Sequence, residues 1–239
     1  MSRLDKEIFS RGLVSSRSQA ENYIKLGVVS VNGKKIKKPA FAVFSADEIL
    51  VAGDQYVSRA ALKLASIATQ FNLDFRNATV LDVGSSTGGF TDYALQHGAK
   101  KVYAVDVGTD QLHPSLLSDE RIELHEKTDI RDFITKDSID IMVADVSFIS
   151  LTKILPHLSS LASPSTWLIM MCKPQFESGA KGNTNKGVIK NSKMRRDILK
   201  DFEYWLQTNG FIIKDKADSQ VAGTKGNVER FYKLKVAKR

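Results

Sequence analysis

Residues 81–90 read Leu-Asp-Val-Gly-Ser-Ser-Thr-Gly-Gly-Phe, and residues 101–106 follow as Lys-Val-Tyr-Ala-Val-Asp. An apolar run ending in a cluster of small residues, then a helix start, then a second apolar run closed by an acid is the grammar of a strand–helix–strand unit in an α/β sheet. Glycines let the main chain approach a ligand closely, a helix N-terminus offers unpaired N–H groups, and an acid at the next strand end accepts from both hydroxyls of a ribose. The run therefore predicts a site for a nucleotide-type ligand, built from Gly84, Ser85, Ser86, Thr87, Gly88 and Asp106.

Charge narrows the ligand. A dinucleotide site sets a pyrophosphate on the helix N-terminus and spaces its glycines as G-x-G-x-x-G. Here the glycines stand at 84, 88 and 89, Asp82 lies two residues before the turn, and no Lys or Arg stands within it. Carboxylates at 82 and 106 disfavour a pyrophosphate and suit a ligand with an adenosine, a free amine and a sulfonium. S-Adenosylmethionine has those parts.

Around this unit the chain alternates strand and helix. Residues 80–83, 101–106, 122–125, 139–145 and 167–172 read as strands, and helices fit around 58–70, 88–97, 151–161 and 191–209. That order predicts a doubly wound, mostly parallel sheet. The last two strands, 211–216 and 228–236, follow without a helix between them and are expected to pair antiparallel. A seven-strand sheet with this ending is the pattern of adenosylmethionine-dependent methyltransferases.

The first fifty residues obey a different grammar. Two short helices, 3–10 and 15–26, precede a β segment; Ser16 with Gln19 reads as a capping box, and Gly27 is placed to end the second helix. Val29 and Val31 alternate with polar neighbours before Asn32-Gly33, a tight-hairpin signal, and residues 48–51 close the unit. The fold class expected is thus α/β, a Rossmann-like seven-stranded sheet preceded by a small α+β domain. We place the domains at 1–54 and 55–239, with residues 53–59 as linker.

The formal charge is +8, and residues 1–40 hold nine basic residues against three acids, +6 of that total. Such an excess points to a polyanionic partner. A single cysteine, Cys172, leaves no internal disulfide and lies in an apolar run, where a buried small hydrophobe is expected. No apolar run approaches the ~20 residues that span a bilayer, and the charged N-terminus does not read as a signal peptide. Stable membrane insertion is not expected, and a cytoplasmic location is. The four histidines lack metal-ligand spacing, so no metal is assigned.

Two resemblances add to this reading. Arg11-Gly12-Leu13-Val14-Ser15-Ser16-Arg17, then Gly27-Val28-Val29-Ser30-Val31-Asn32-Gly33 and Lys38-Pro39, resemble the RNA-binding module named after ribosomal small-subunit protein four. Four fragments of the larger domain, Ser58–Leu64, Asp145–Ser150, Lys173–Glu177 and Gly226–Arg230, together with the glycine turn, resemble the TlyA family of rRNA methyltransferases, whose catalytic domain is of the FtsJ type. The resemblance covers essentially the whole chain. It implies a Lys-Asp-Lys-Glu catalytic set mapping onto Lys63, Asp145, Lys173 and Glu229, and methyl transfer from S-adenosylmethionine to a ribose 2′-hydroxyl of ribosomal RNA, in cytidine. Free rRNA or a ribosomal subunit is then the partner.

The chemistry explains those residue types. A 2′-hydroxyl is a poor nucleophile, so a base must take its proton as the oxygen attacks the sulfonium methyl. Desolvation and a second ammonium nearby make a lysine amine available for that task. Lys173 is expected as the base because it follows a central strand's carboxyl end, with Lys63, Asp145 and Glu229 positioning it. The resemblance further implies that Asp129 lies by the adenine and that Asp82 faces the amino group. At position 129 the family often has Asn, and it has Gly-Gly where this chain has Ala60-Ala61.

RNA contacts are expected from Arg3, Arg11, Arg17, Lys34, Lys35, Lys37 and Lys38 on the small domain. Lys181, Lys186 and Lys190 join them on the basic, glycine-bearing loop after Lys173. Two rival readings stand beside the enzyme: a membrane-active haemolysin, a label that TlyA-like proteins often carry, and a non-catalytic RNA-binding protein.

Overall fold

A computed structural model describes residues 1–14, 16–51, 56–177, 189, 191–221 and 227–237. The small domain runs β1 (Ser2–Arg3), α1 (Leu4–Ser10), α2 (Arg17–Leu26), β2 (Val29–Val31), β3 (Lys34–Lys35), β4 (Ala42–Val43) and β5 (Ile49–Val51). Ser16 caps α2 by accepting from the Gln19 N–H at 3.1 Å, and Gly27 ends it in the left-handed region at φ 76°. Half of the expected capping box forms: the Gln19 side chain reaches away, to Tyr23 Oη and the Tyr56 carbonyl. Asn32 and Gly33 both take positive φ, 49° and 75°, the demand of a two-residue hairpin between β2 and β3. β2 also pairs with β5, and the short β1–β4 pair, for which the sequence carries no signal, ties the N-terminus to the segment after the hairpin.

The large domain follows as α3 (Arg59–Ala68), β6 (Thr79–Val83), α4 (Gly89–Gln96), β7 (Lys101–Val105), β8 (Ile122–His125), β9 (Ile139–Ala144), α5 (Leu151–Leu161), β10 (Ala162–Cys172), α6 (Pro174–Glu177), α7 (Ser192–Thr208), β11 (Phe211–Asp218) and β12 (Arg230–Val236). Its strands form one seven-stranded sheet in the order β11-β12-β10-β9-β6-β7-β8. The five strands β6 to β10 pair parallel, while β12 inserts antiparallel between β10 and the edge strand β11. β10 begins at Ala162, five residues before the expected Trp167, because its early residues continue the pairing with β9 through an irregularity in register.

Central strands are covered on both faces and therefore read as unbroken apolar runs, whereas β11 alternates because only one of its faces is covered. Leu81, Val83, Met142, Ala144, Met170 and Cys172 pack against α5 and α7. Val80, Val102, Ile141, Val143, Ile169, Met171 and Phe231 pack against α3 and α4. Cys172 is fully buried, as a small hydrophobe in that position must be.

Strand order reverses between β6 and β9, the topological switch point where open α/β sheets bind ligands. Alternation then decides what points there. Continuing the parity of the residues on the α3/α4 face carries Asp82, Asp106, Asp145, Lys173 and Glu229 to that same face. Lys63 comes down on it from α3.

The small domain is not a separate bead. Leu62 and Val221 of the large domain pack into its core with Leu4, Ile8, Tyr23 and Ile24. Arg59 donates to Ser18 Oγ at 2.6 Å, the Tyr56 N–H donates to Tyr23 Oη at 3.3 Å, and the Val57 N–H donates to Asp92 on α4 at 2.8 Å.

Candidate active site

The turn after β6 is held by backbone bonds. The Gly84 and Ser85 N–H groups both donate to the Val105 carbonyl, at 2.9 and 3.2 Å, and the Asp145 N–H donates to the Val83 carbonyl at 3.0 Å. Gly84 sits at φ 78°, and a Cβ there would lie 3.2 Å from the Asp145 carbonyl oxygen, so the ends of β6 and β9 touch because this residue has no side chain. Ser86, also at positive φ, directs its N–H to Asp106 Oδ2 at 2.8 Å, while Gly108 N–H holds Oδ1 at 2.7 Å.

Two adjoining cavities open above this turn. The first, about 290 Å³, is lined by Val83, Val105, Asp106, Val107, Thr128, Asp129 and Ile130 among others, an apolar slot with acids at its rim. The second, about 160 Å³, is lined by Ala60, Asp82, Ser85, Thr87, Phe90 and Lys173 among others. Gly84, Ser86, Asp145 and Ser147 belong to both walls. An apolar slot beside a ribose-accepting acid, joined to a small acidic lobe, fits an adenosine and an amino-acid moiety bridged at the shared wall.

Asp82 is fully buried, its Oδ2 accepting from Thr91 Oγ1 at 2.7 Å and its Oδ1 without a hydrogen-bond partner. Burial pushes its carboxyl up to about 7, with the neighbouring Asp145 and Asp106 adding to the rise against the Thr91 bond. Asp82 lines the smaller lobe, and an acceptor left without a partner among the described residues there is a place for a ligand's amine.

The four catalytic candidates come together as two ion pairs. Lys173 Nζ lies 2.5 Å from Asp145 Oδ1. Lys63 Nζ lies 3.2 Å from Glu229 Oε1, although 166 residues separate them, and both are nearly buried, at 8% and 3% exposure. Lys63 is thus no solvated helix lysine: it is buried on α3 with Leu64 and, one turn on, Ile67. Ala60, one turn before it, lines the smaller lobe, and Lys63 itself lines the cleft between α3 and the start of α2.

Other predicted residues take different places. Gly88 lines neither lobe; at φ 86° it packs under Leu112 and Leu116, where a Cβ would come within 2.6 Å of both. Asp129 borders the larger lobe, but its carboxylate caps the turn Ile130–Asp132 and pairs with Arg131 at 2.6 Å, which draws it down to about 2. Arg11 is a structural clamp. It pairs with Glu7 and donates to the carbonyls of Phe44, Ser45 and Asp47, which takes up four of the five donors it was expected to offer RNA.

Arg3 and Arg17 are half-exposed and share the buried carboxylate of Asp5. Burial alone would raise that acid, and the hydrogen bonds from the two arginines outweigh it and hold it at about 2. Lys34, Lys35, Lys37 and Lys38 are exposed around the hairpin. Lys181, Lys186 and Lys190 lie outside the described residues.

Three residues at the site carry no role that the sequence alone would assign. Ser147 Oγ accepts from Lys173 Nζ at 2.7 Å. Gln111 accepts from Ser86 Oγ at 3.0 Å over the larger lobe. Phe148 is 93% exposed at φ 64°, its ring centroid 5.2 Å from that of Phe176. An aromatic residue held in the left-handed region is strained in its backbone, and with its ring in solvent it gains no burial in return. Ser147 and Phe148 stand inside the Asp145–Ser150 fragment, but nothing in a sequence marks which way a loop side chain points.

Residues 56–235 match the profile of the FtsJ-like methyltransferases, and residues 2–49 that of the S4 domain. The chain is 40% identical to Hemolysin A of Brachyspira hyodysenteriae, across 95% of this chain and 97% of that one. It is 37% identical to the 23S rRNA (cytidine-2'-O)-methyltransferase TlyA of Campylobacter jejuni subsp. jejuni, across 93% and 95%. A solved structure from Streptococcus thermophilus, provisionally described as a hemolysin, superposes with a TM-score of 0.72 at 34% identity, covering 98% of this chain and 88% of that one. A SAM-dependent methyltransferase from Aquifex aeolicus shares the fold of the large domain, at a TM-score of 0.54 and 19% identity over 75% of this chain and 95% of that one.

Proposed function

The chain belongs to the TlyA family of FtsJ-like methyltransferases, and from that premise we propose that it methylates a ribose 2′-hydroxyl of ribosomal RNA, with cytidine as the acceptor. The observation that carries the reading is Lys173, whose amine pairs with Asp145 beside the wall that the two lobes share. S-Adenosylmethionine, when bound, supplies an electrophilic methyl group on a sulfonium. Gly84, Ser85, Ser86, Thr87 and Asp82 would hold its amino-acid part, and Asp106 its ribose, with Asp129 at the rim near the base.

The chain's own residues do the rest. Lys173 Nζ would accept the proton of the 2′-hydroxyl as that oxygen takes the methyl group the sulfonium supplies, leaving the cofactor as its neutral thioether. Asp145 fixes the amine in place, and the Lys63–Glu229 pair braces the approach from α3. Phe148 offers an exposed ring on which a splayed-out base can stack, the usual way a single nucleotide is presented by structured RNA. Arg3, Arg17 and the hairpin lysines would dock the remaining RNA through its phosphates.

Incubation with methyl-labelled S-adenosylmethionine and either ribosomal subunits or free rRNA tests the reading. Label in a cytidine 2′-O-methyl group that vanishes in Lys173→Ala is the expected result. Absence of label in every RNA offered would sink the proposal, and cofactor binding without turnover would favour a non-catalytic RNA-binding role. Among the described residues no helix is long and apolar enough to cross a membrane.

A further inference from the structure

Lys173 Nζ makes one close, well-directed hydrogen bond, to Ser147 Oγ at 2.7 Å. Its other polar contacts are an ion pair with Asp145 Oδ1 at 2.5 Å, without hydrogen-bond geometry, and the Asp145 carbonyl oxygen at 3.5 Å, the outer edge of hydrogen bonding. Asp145 therefore holds the nitrogen by charge, and Ser147 sets its direction. Ser147 is also on the wall common to both lobes, where an adenosine part and an amino-acid part would meet. It is exposed, the backbone and side chain of Asp145 account for two other contacts and the Phe176 ring lies 6.0 Å away, so among the described residues Ser147 is the one neutral hydrogen-bonding side chain that aims the amine.

We infer that Ser147 is a positioning residue for the methyl transfer: by accepting an N–H of Lys173 beside the Asp145 ion pair, it turns the lone pair of the proton-accepting amine toward the acceptor's 2′-hydroxyl. This rests on the proposed reading of the site. Misaiming a base by a fraction of an ångström costs turnover and leaves binding intact, because the RNA and the cofactor are held by other residues.

The test uses the full chain in three forms, wild type, Ser147→Ala and Ser147→Thr, with rRNA and S-adenosylmethionine. Methyl transfer is followed kinetically, and cofactor affinity is measured by calorimetry without RNA. Ser147→Ala is expected to lower kcat roughly tenfold, with KM for RNA and the calorimetric cofactor affinity within about twofold of wild type. Ser147→Thr, which keeps the hydroxyl, is expected to recover most of kcat. Ser147→Ala with wild-type kcat overturns the inference, as does a cofactor affinity that falls in step with kcat, since Ser147 would then be a cofactor contact. Loss of kcat in both variants alike also overturns it. Wild-type protein that methylates no RNA overturns the functional reading itself, an outcome distinct from active wild type matched by an equally active Ser147→Ala.

Discussion

Asp82 shows how one buried atom couples chemistry to stability. Its side chain follows Val80 onto the α3/α4 face, where Thr91 satisfies one oxygen and nothing satisfies the other. With its folded value pushed up to about 7 by burial, it keeps a proton that the unfolded chain gives up near 3.8. Its contribution is therefore complete below about pH 3.8 and lost as pH rises through about 7. Without cofactor, Asp82→Asn should gain on wild type between pH 4 and 8 by up to about 4 kcal/mol, read from urea midpoints. Parallel stability curves for the two proteins would refute this. Glu229 makes the opposite case: Glu229→Ala would strand the buried Lys63 charge at a cost of about 3–5 kcal/mol, so Glu229→Gln is the cleaner probe of activity.

At the scale of elements, Gly89 decides how α3 sits on α4. A Cβ at this first residue of α4 would meet Ser58 Oγ at 2.3 Å, Ala60 Cβ at 2.7 Å and Ala61 N at 2.9 Å. Alanine is the better helix former, yet two of those three atoms are close to the α3 backbone and cannot move aside alone. Gly89→Ala should therefore destabilise the fold by about 1–3 kcal/mol and shift α3, which carries Lys63; thermal unfolding with a turnover assay checks both. Capping at the far side is simpler: Asn191 accepts from the Lys193 and Met194 N–H groups of α7, and Asn191→Ala should cost about 1 kcal/mol in chemical denaturation with no change in cofactor affinity.

At the scale of the whole molecule, the two domains share a core. Leu62 and Val221 are 3% and 2% exposed and belong to the cluster built by the small domain's apolar residues. Deleting residues 1–51 should expose that apolar surface, so the remaining domain should aggregate or melt earlier in light-scattering and calorimetric scans. A truncated domain as soluble and stable as the full chain would contradict the shared core. The exposed hairpin lysines are tested against RNA. Replacing Lys34, Lys35, Lys37 and Lys38 together by Ala should weaken RNA binding and flatten its salt dependence, the slope falling by up to about 0.9 for each phosphate no longer neutralised.

Much of this molecule is legible in the chain because local rules carry it. The glycine turn, the Asn32-Gly33 hairpin, the Ser16 half of the capping box and the order of strands and helices each depend on a few neighbouring residues and form as expected, although β10 starts earlier than its apolar run. Even the side of the sheet taken by Asp82, Asp145, Lys173 and Glu229 is contained in strand parity. What parity cannot hold is register and partnership across distance. That Lys63 pairs with Glu229 and Lys173 with Asp145, that Arg11 spends its donors on three loop carbonyls, that Gly88 packs under leucines, and that Ser147 reaches the Lys173 amine are outcomes of strand order and close packing. A sequence names the groups that chemistry needs; only the folded chain decides which of them have their hydrogen bonds already taken.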